Sequence, residues 1–245
     1  MFGKNPTRKQ DLESHGLSLW TQEVFYTIQG EGPYAGWPAV FVRLAGCNLK
    51  CHFCDTDFES SAWHPLLSEL LDKIETQAKG RTKLIVLTGG EPLRQDVLPL
   101  IATLNERGYV VQIETAGTLW LDGLVEYFSG KGAYPPNSII CSPKTPKLNP
   151  QLIPLISGYK FILRAGDIAR DDGLPNKSTQ ILGQDCRIAR PWDSSARQPK
   201  SVIYVQACDE QNPEQNAANL QAAVTSALKY GYRLSVQIHK LAGLP

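Results

Sequence analysis

Short apolar runs of strand length recur along the chain, separated by stretches in which apolar positions return every three or four residues. The runs are VFYTI (24–28), AVFVRLAG (39–46), KLIVLTGG (83–90), YVVQIETAG (109–117), SIICSPK (138–144), YKFILR (159–164), SVIYVQAC (201–208) and RLSVQIH (233–239). Between them lie HPLLSELLDKIETQ (64–77), DVLPLIATLNERG (96–108), LDGLVEYF (121–128), NPQLIPLI (149–156) and PEQNAANLQAAVTSALKYG (213–231). Runs of this length read as strands, and the three-to-four spacing reads as helix. Gly108 is placed to end the second helix. Strand and helix alternate six or seven times, which predicts parallel βα units in one domain.

Two segments fall outside this rhythm. Residues 1–17 are polar and are expected to be mobile. Residues 166–199 are polar and interrupted by Gly and Pro, and read as a loop or small insertion. The organisation expected is a single domain over 18–245, with that insertion.

Composition narrows the class without naming a chemistry. Of the 245 residues, 42% are hydrophobic and 20% charged, and the net charge is +1. A core can form without cysteine staples. The balanced charge offers no main surface for nucleic acid or membrane. No apolar run approaches the roughly 18 residues of a membrane span, and the polar start lacks the apolar stretch of a secretory signal. The compartment expected is the cytoplasm, where thiols stay reduced.

That makes the cysteines informative. Three of six fall in AGCNLKCHFCDTD (45–57), spaced C-x3-C-x2-C: Cys47, Cys51 and Cys54. Cys141, Cys186 and Cys208 stand alone and read as small buried residues or incidental thiols. Two metal chemistries suit the triplet. Zinc wants a fourth ligand, and His52 is the nearby candidate, within an awkwardly tight loop. A 4Fe–4S cluster can instead be held by three thiolates, leaving one iron open to another molecule. The other chemical residues also follow strands, at TGGEP (88–92), ETAG, CSPK and VQAC, the end of the strands where α/β folds bind ligands.

The triplet, with the aromatic Phe53 before its last cysteine, resembles the signature of radical S-adenosylmethionine (SAM) enzymes. TGGEP resembles that family's Gly-Gly-Glu turn. The resemblance implies a modified partial TIM-like (βα) barrel. It implies a 4Fe–4S cluster whose open iron chelates SAM and whose electron releases a 5′-deoxyadenosyl radical. Glycines there let backbone approach closely, and a carboxylate suits the SAM ammonium. Further stretches resemble one subgroup, the 7-carboxy-7-deazaguanine synthases of queuosine biosynthesis. These are FYTIQGEGPYAGWPAVFVRLAGCNLKC, CDTD, CSPK and the tail VQIHKLAGLP. The likeness runs from about residue 20 to the last residue, and no motif covers 166–199.

The subgroup's pattern implies roles residue by residue. Cys47, Cys51 and Cys54 hold the cluster. Phe53, Asp55, Gly89, Gly90 and Glu91 meet the cofactors, as do Ser142, Pro143, Lys144 and Gln206. Ile28, Gln29 and Gly30 resemble a turn gripping a pterin, with Glu31 at its guanidine-like edge. Arg43, Thr88, Thr115, His239 and the Pro245 carboxylate resemble further substrate contacts, and Glu114, like Thr115, is similar to residues facing SAM or substrate. Thr56 resembles a Mg2+ ligand. Asp55 and Asp57 suit Mg2+ by type but equally suit loop capping. The reaction implied is a carbon–nitrogen lyase step: ring contraction of 6-carboxy-5,6,7,8-tetrahydropterin to 7-carboxy-7-deazaguanine with loss of ammonia. The resemblance also implies an electron donor such as flavodoxin or ferredoxin, and a homodimer. Two rivals remain open at this point, an activating protein for glycyl-radical enzymes and a zinc-binding interaction module.

Overall fold

The computed structural model describes residues 5–54, 56–129, 136–180, 186–190 and 202–244. Its sheet has eight strands: β1 (Thr21–Ile28), β2 (Pro38–Leu44), β3 (Leu84–Gly89), β4 (Val110–Thr115), β5 (Ser138–Cys141), β6 (Gly158–Leu163), β7 (Val202–Ala207) and β8 (Arg233–Ser235). They lie side by side in chain order. β1 and β2 are antiparallel, and every later pair is parallel. Right-handed crossovers in an unbroken order deliver the connecting helices to one face and curl the sheet around the other. The result is the partial TIM-like barrel expected from the sequence, with its strand ends gathered at one mouth.

The helices are α1 (Leu67–Ala78), α2 (Leu98–Glu106), α3 (Leu124–Phe128), α4 (Pro213–Tyr230) and α5 (Ile238–Leu241). α4 shows why the sequence folds this way. The Asn212 side chain accepts from the N–H groups of Glu214 and Gln215, Pro213 opens the helix, and Gly231 closes it with φ 75°. α2 buries Leu100, Ile101 and Leu104.

Alternation within the strands divides the two faces. Val40, Val42 and Leu44 of β2, Ile85 and Leu87 of β3, Val111 and Ile113 of β4, and Tyr159, Phe161 and Leu163 of β6 are buried in the core beneath the helices. Each such side chain contributes about 1.5–3 kcal/mol by leaving water. Their neighbours of opposite parity point into the barrel. Arg43 is level with Thr88 across β2 and β3.

Two expected elements differ. NPQLIPLI forms only a 3-10 turn, Ile153–Leu155, because Pro150 and Pro154 deny it the N–H groups a helix needs. RLSVQIH is strand only to Ser235; the tail then turns into α5. Residues 5–17, expected to be loose, bond to the barrel. The Arg8 N–H donates to the Cys47 carbonyl at 2.7 Å and the Asp11 N–H to the Arg94 carbonyl at 2.7 Å. Of the insertion, residues 166–180 and 186–190 are described, and it returns to the barrel mouth, as set out below.

Candidate active site

A cavity of about 590 Å3 occupies the barrel mouth. Its walls are the inward residues of successive strands: Phe25 and Thr27 (β1), Phe41 and Arg43 (β2), Thr88 (β3), Glu114 (β4), Lys160 and Ile162 (β6), and Gln206 (β7). The cysteine loop forms one wall and the tail helix part of another.

The loop is closed at its base, where the Gly46 N–H donates to the Phe58 carbonyl at 3.1 Å. Cys47, Cys51 and Cys54 all line the cavity, with Phe53 and Thr56. The Leu49 N–H points to Cys47 Sγ at 3.4 Å. The Thr179 hydroxyl and Gln180 Nε2 point to Cys51 Sγ at 3.0 and 3.3 Å. Burial, then the nearby Glu91 carboxylate, push the Cys47 thiol up to about 12, so metal binding there displaces a proton. Among the described residues no three His, Cys, Asp or Glu side chains are grouped to hold one ion, as a tetrahedral zinc would require. The Asn5 side chain donates to the Thr56 carbonyl at 2.9 Å, bracing the far end of the loop. Asp55 lies outside the described residues.

TGGEP packs against the start of this loop. The N–H groups of Gly90 and Glu91 donate to the carbonyls of Leu44 and Gly46, each at 3.0 Å. A Cβ on Gly89, whose φ is 119°, would strike Leu44 backbone, and one on Gly90 would strike the Gly46 carbonyl. The glycines line the cavity, but their first task is this backbone contact. Glu91 departs from the expectation of a cofactor contact. It is fully buried behind the wall, where its oxygens accept from the Thr115 hydroxyl (2.6 Å), the Ala116 N–H (2.8 Å) and the Leu93 N–H (3.2 Å). Those donors engage both its oxygens, and Glu91 is not among the residues that line the cavity. Burial raises its pKa, and the three donors pull it back.

The same cavity holds a cluster of charges. Lys160 is paired with Glu31 and lies 3.9 Å from Glu114. Gln206 and Gln237 donate to Glu31 Oε1 at 2.9 and 3.2 Å. Gln29 donates to Glu114 at 3.0 Å. Burial alone would raise the Glu31 carboxyl; Lys160, Gln206 and His239 outweigh it and hold it below its ordinary value. The cavity thus keeps an anionic acceptor away from water, suited to the N–H groups of a guanidine-like edge. Arg43 Nε lies 3.1 Å from Glu23 Oε1, an ion pair without a hydrogen bond.

Most residues expected from the sequence therefore meet in one cavity. Thr88, Gly89, Gly90, Thr115, Ser142, Lys144, Gln206 and His239 all line it. Pro143 faces a smaller neighbouring pocket instead, and Ile28 and Gly30 are not among the lining residues. The Ser142 hydroxyl is taken by the Lys160 carbonyl at 2.9 Å. Pro245 lies outside the described residues. Sequence reasoning missed Lys160, Gln237, Thr179 and Gln180. Only Lys160 left a signal: a lone cation inside an apolar strand run.

Comparisons with known proteins give the chain a family. A family model described as the Radical SAM superfamily matches residues 42–185, more than half of the chain. A 7-carboxy-7-deazaguanine synthase of Rhodospirillum rubrum is 50% identical, covering 98% of this chain and 98% of that protein. One of Rickettsia prowazekii is 36% identical over 100% of this chain and 96% of its own length.

The chain belongs to the 7-carboxy-7-deazaguanine synthase family of radical SAM proteins.

A crystal structure of QueE from Escherichia coli shares the fold, with TM-score 0.62 at 24% identity over 90% of this chain and 94% of that one. Radical SAM proteins work with a 4Fe–4S cluster and SAM, and the donor set of this family member fits the cluster. Three soft thiol ligands line one cavity, and donors are aimed at the sulfurs of Cys47 and Cys51. The zinc module named above as a rival falls with this assignment.

Proposed function

We propose that the protein converts 6-carboxy-5,6,7,8-tetrahydropterin to 7-carboxy-7-deazaguanine and ammonia. The observation that carries this reading is 50% identity along nearly the whole length of a protein of that name. The cavity adds support from its own chemistry. The same cavity is lined by three thiols and by a carboxylate–lysine–carboxylate set.

When bound, the cluster and SAM supply the one-electron cleavage that yields a 5′-deoxyadenosyl radical. The chain's own residues bind and orient. Cys47, Cys51 and Cys54 hold the cluster. Gly89 and Gly90 shape the wall beside it, and Lys144, within 5.8 Å of the Phe53 ring, is the cation for the SAM carboxylate. Glu31 accepts from the pterin's guanidine-like edge while Lys160 keeps it ionised. Arg43 and His239 flank the substrate, and Thr56 would hold a Mg2+, which would supply a cation for the substrate's anionic group. The apolar walls from Phe25, Phe41, Ile140 and Ile162 exclude water and hold the rearranging ring in register. The electron comes from a flavodoxin or ferredoxin, and the working unit is a cytoplasmic homodimer. No described helix is long and apolar enough to cross a membrane.

The test is an anaerobic incubation of reconstituted, reduced protein with SAM, Mg2+ and the carboxytetrahydropterin, read by mass spectrometry. Formation of 7-carboxy-7-deazaguanine and ammonia is expected. SAM cleavage with unchanged pterin would overturn the substrate. Thr56→Ala should weaken Mg2+ stimulation and leave SAM binding intact; an unchanged Mg2+ dependence would remove Thr56 from the metal.

A further inference from the structure

The segment after β6 matches no motif, yet its described residues return to the thiol loop. Cys51 and Gln180 form an antiparallel bridge, and the His52 N–H donates to the Thr179 carbonyl at 3.0 Å. The side chains follow the backbone. The Thr179 hydroxyl lies 3.0 Å from Cys51 Sγ, and Gln180 Nε2 lies 3.3 Å from the same sulfur. The Gln180 amide is oriented by its other end, whose Oε1 accepts the Lys50 N–H at 3.0 Å. A backbone donor demands the oxygen there, so the NH2 faces sulfur.

The Thr179 hydroxyl has one proton and a second acceptor, the Lys144 carbonyl at 3.3 Å. A metal-bound thiolate carries charge that a carbonyl does not, and it is the stronger acceptor. Both Thr179 and Cys51 are buried, so water does not compete freely for the sulfur.

The segment is braced rather than draped. Arg190, almost wholly buried, grips Asp172 with Nε at 2.5 Å and Nη2 at 3.2 Å, and also donates to the Pro175 carbonyl at 3.0 Å. The Ser178 hydroxyl and the Thr179 N–H both donate to the Lys144 carbonyl, at 3.0 and 3.2 Å. The two donors therefore stand on a fixed support.

We infer that Thr179 and Gln180 are positioning residues for the cluster, donating hydrogen bonds to the Cys51 thiolate and raising the cluster's reduction potential. This rests on the reading of Cys51 as a cluster ligand. One electron entering the cluster adds negative charge that spreads onto its sulfurs. Donors at a sulfur favour the reduced form over the oxidised one, so the potential rises. The insertion thus does for Cys51 what the Leu49 N–H does for Cys47.

The experiment is a dithionite redox titration of full-length, reconstituted protein, followed by electron paramagnetic resonance of the reduced cluster. Wild type is compared with Thr179→Val, Thr179→Ser, Gln180→Leu and the Val/Leu double variant. Thr179→Val and Gln180→Leu should each lower the potential. The double variant should shift the one-electron equilibrium about tenfold, equivalent to about 59 mV. Thr179→Ser, which keeps the hydroxyl, should stay near wild type. Pulsed measurements in D2O should show an exchangeable deuteron coupled to the reduced wild-type cluster, weaker in the Val and Leu variants. If Thr179→Val holds too little iron to titrate, Gln180→Leu and the deuteron coupling still decide. Equal potentials and equal couplings in wild type, Gln180→Leu and any loaded Val variant would overturn the inference. A wild-type protein that assembles no iron–sulfur cluster would instead overturn the ligand reading beneath it.

Discussion

The imidazole of His239 rests on Gly30 with no space between them for a side chain. A Cβ on Gly30 would fall on His239 Nδ1, and that nitrogen is buried with no hydrogen-bond partner among the described residues. An orphaned polar atom of this kind costs about 1–3 kcal/mol, an amount a ligand that bonds to it would return. The contact ties the turn after β1 to α5 beside Glu31. Gly30→Ala should therefore push His239 and its short, exposed helix outward while the barrel stays folded. The KM for the pterin should rise about tenfold, or about 1.4 kcal/mol, with SAM affinity little changed. Steady-state kinetics and SAM calorimetry make the comparison, and an unaltered KM would show the contact to be idle.

Lys160→Met removes the cation between Glu31 and Glu114. Breaking a buried pair by deleting one partner costs about 3–5 kcal/mol, which calorimetry should record as a lower Tm. The sign of the pH effect follows from the forces on Glu31. With Lys160 gone, burial acts with less opposition and its pKa rises. The acceptor is then lost by protonation at a higher pH than in wild type, so the acid limb of kcat/KM should move upward. Superimposable acid limbs would mean that Lys160 does not govern Glu31.

Glu91→Gln distinguishes a bracket from a ligand. The amide NH2 would face at least one of the donors now shared among Thr115, Ala116 and Leu93. An unsatisfied buried donor costs about 1–3 kcal/mol, and each 1 kcal/mol lowers Tm by about 2–4 °C in a chain of this size. A fall in Tm is expected to accompany any loss of SAM binding. Lost SAM affinity at an unchanged Tm would return Glu91 to direct contact with the cofactor.

Asp209 Oδ2 accepts from Lys240 Nζ at 2.6 Å and joins α5 to the end of β7. That bond, with the Gln211 N–H and the Asn216 amide, holds the Asp209 carboxyl to about 2. A depressed carboxylate stabilises above its ordinary pKa, and the gain is lost only as pH falls through the depressed value. Tail docking should thus not titrate through Asp209 between about pH 5 and 8. The pair is largely exposed, so Asp209→Asn should cost at most about 1 kcal/mol and raise the pterin KM a few-fold. A KM that titrates in wild type near neutrality but not in Asp209→Asn would contradict this.

The parts of the site that could be read from the sequence are those made by near neighbours. The strand runs, the C-x3-C-x2-C loop and TGGEP are each local patterns, and alternation within a strand decides which residues face inward. The rest depends on contacts between distant segments. Lys160 meets Glu31 only because β6 curls opposite the turn after β1. Thr179 meets Cys51 only because a segment with no periodicity doubles back over the mouth. Glu91 reads as a cofactor carboxylate until Thr115 and Ala116, at the end of the next strand, are seen to bond to it. The tail reads as strand because Val236 and Ile238 continue the alternation, but after Ser235 it has turned into α5.

The strands stand in chain order, and this gives the protein a schedule. A chain emerging from the ribosome presents its three thiols within the first quarter of its length. Gln237 and His239, which complete the pocket around Glu31, appear only at the end. Each half of the site is split along the chain: Glu31 and Arg43 emerge before the thiols, while Lys144, Thr179 and Gln180 emerge after them. The cavity is whole only once α5 has docked, so a chain halted before Gln237 would carry its three thiols beside a pocket missing part of its wall.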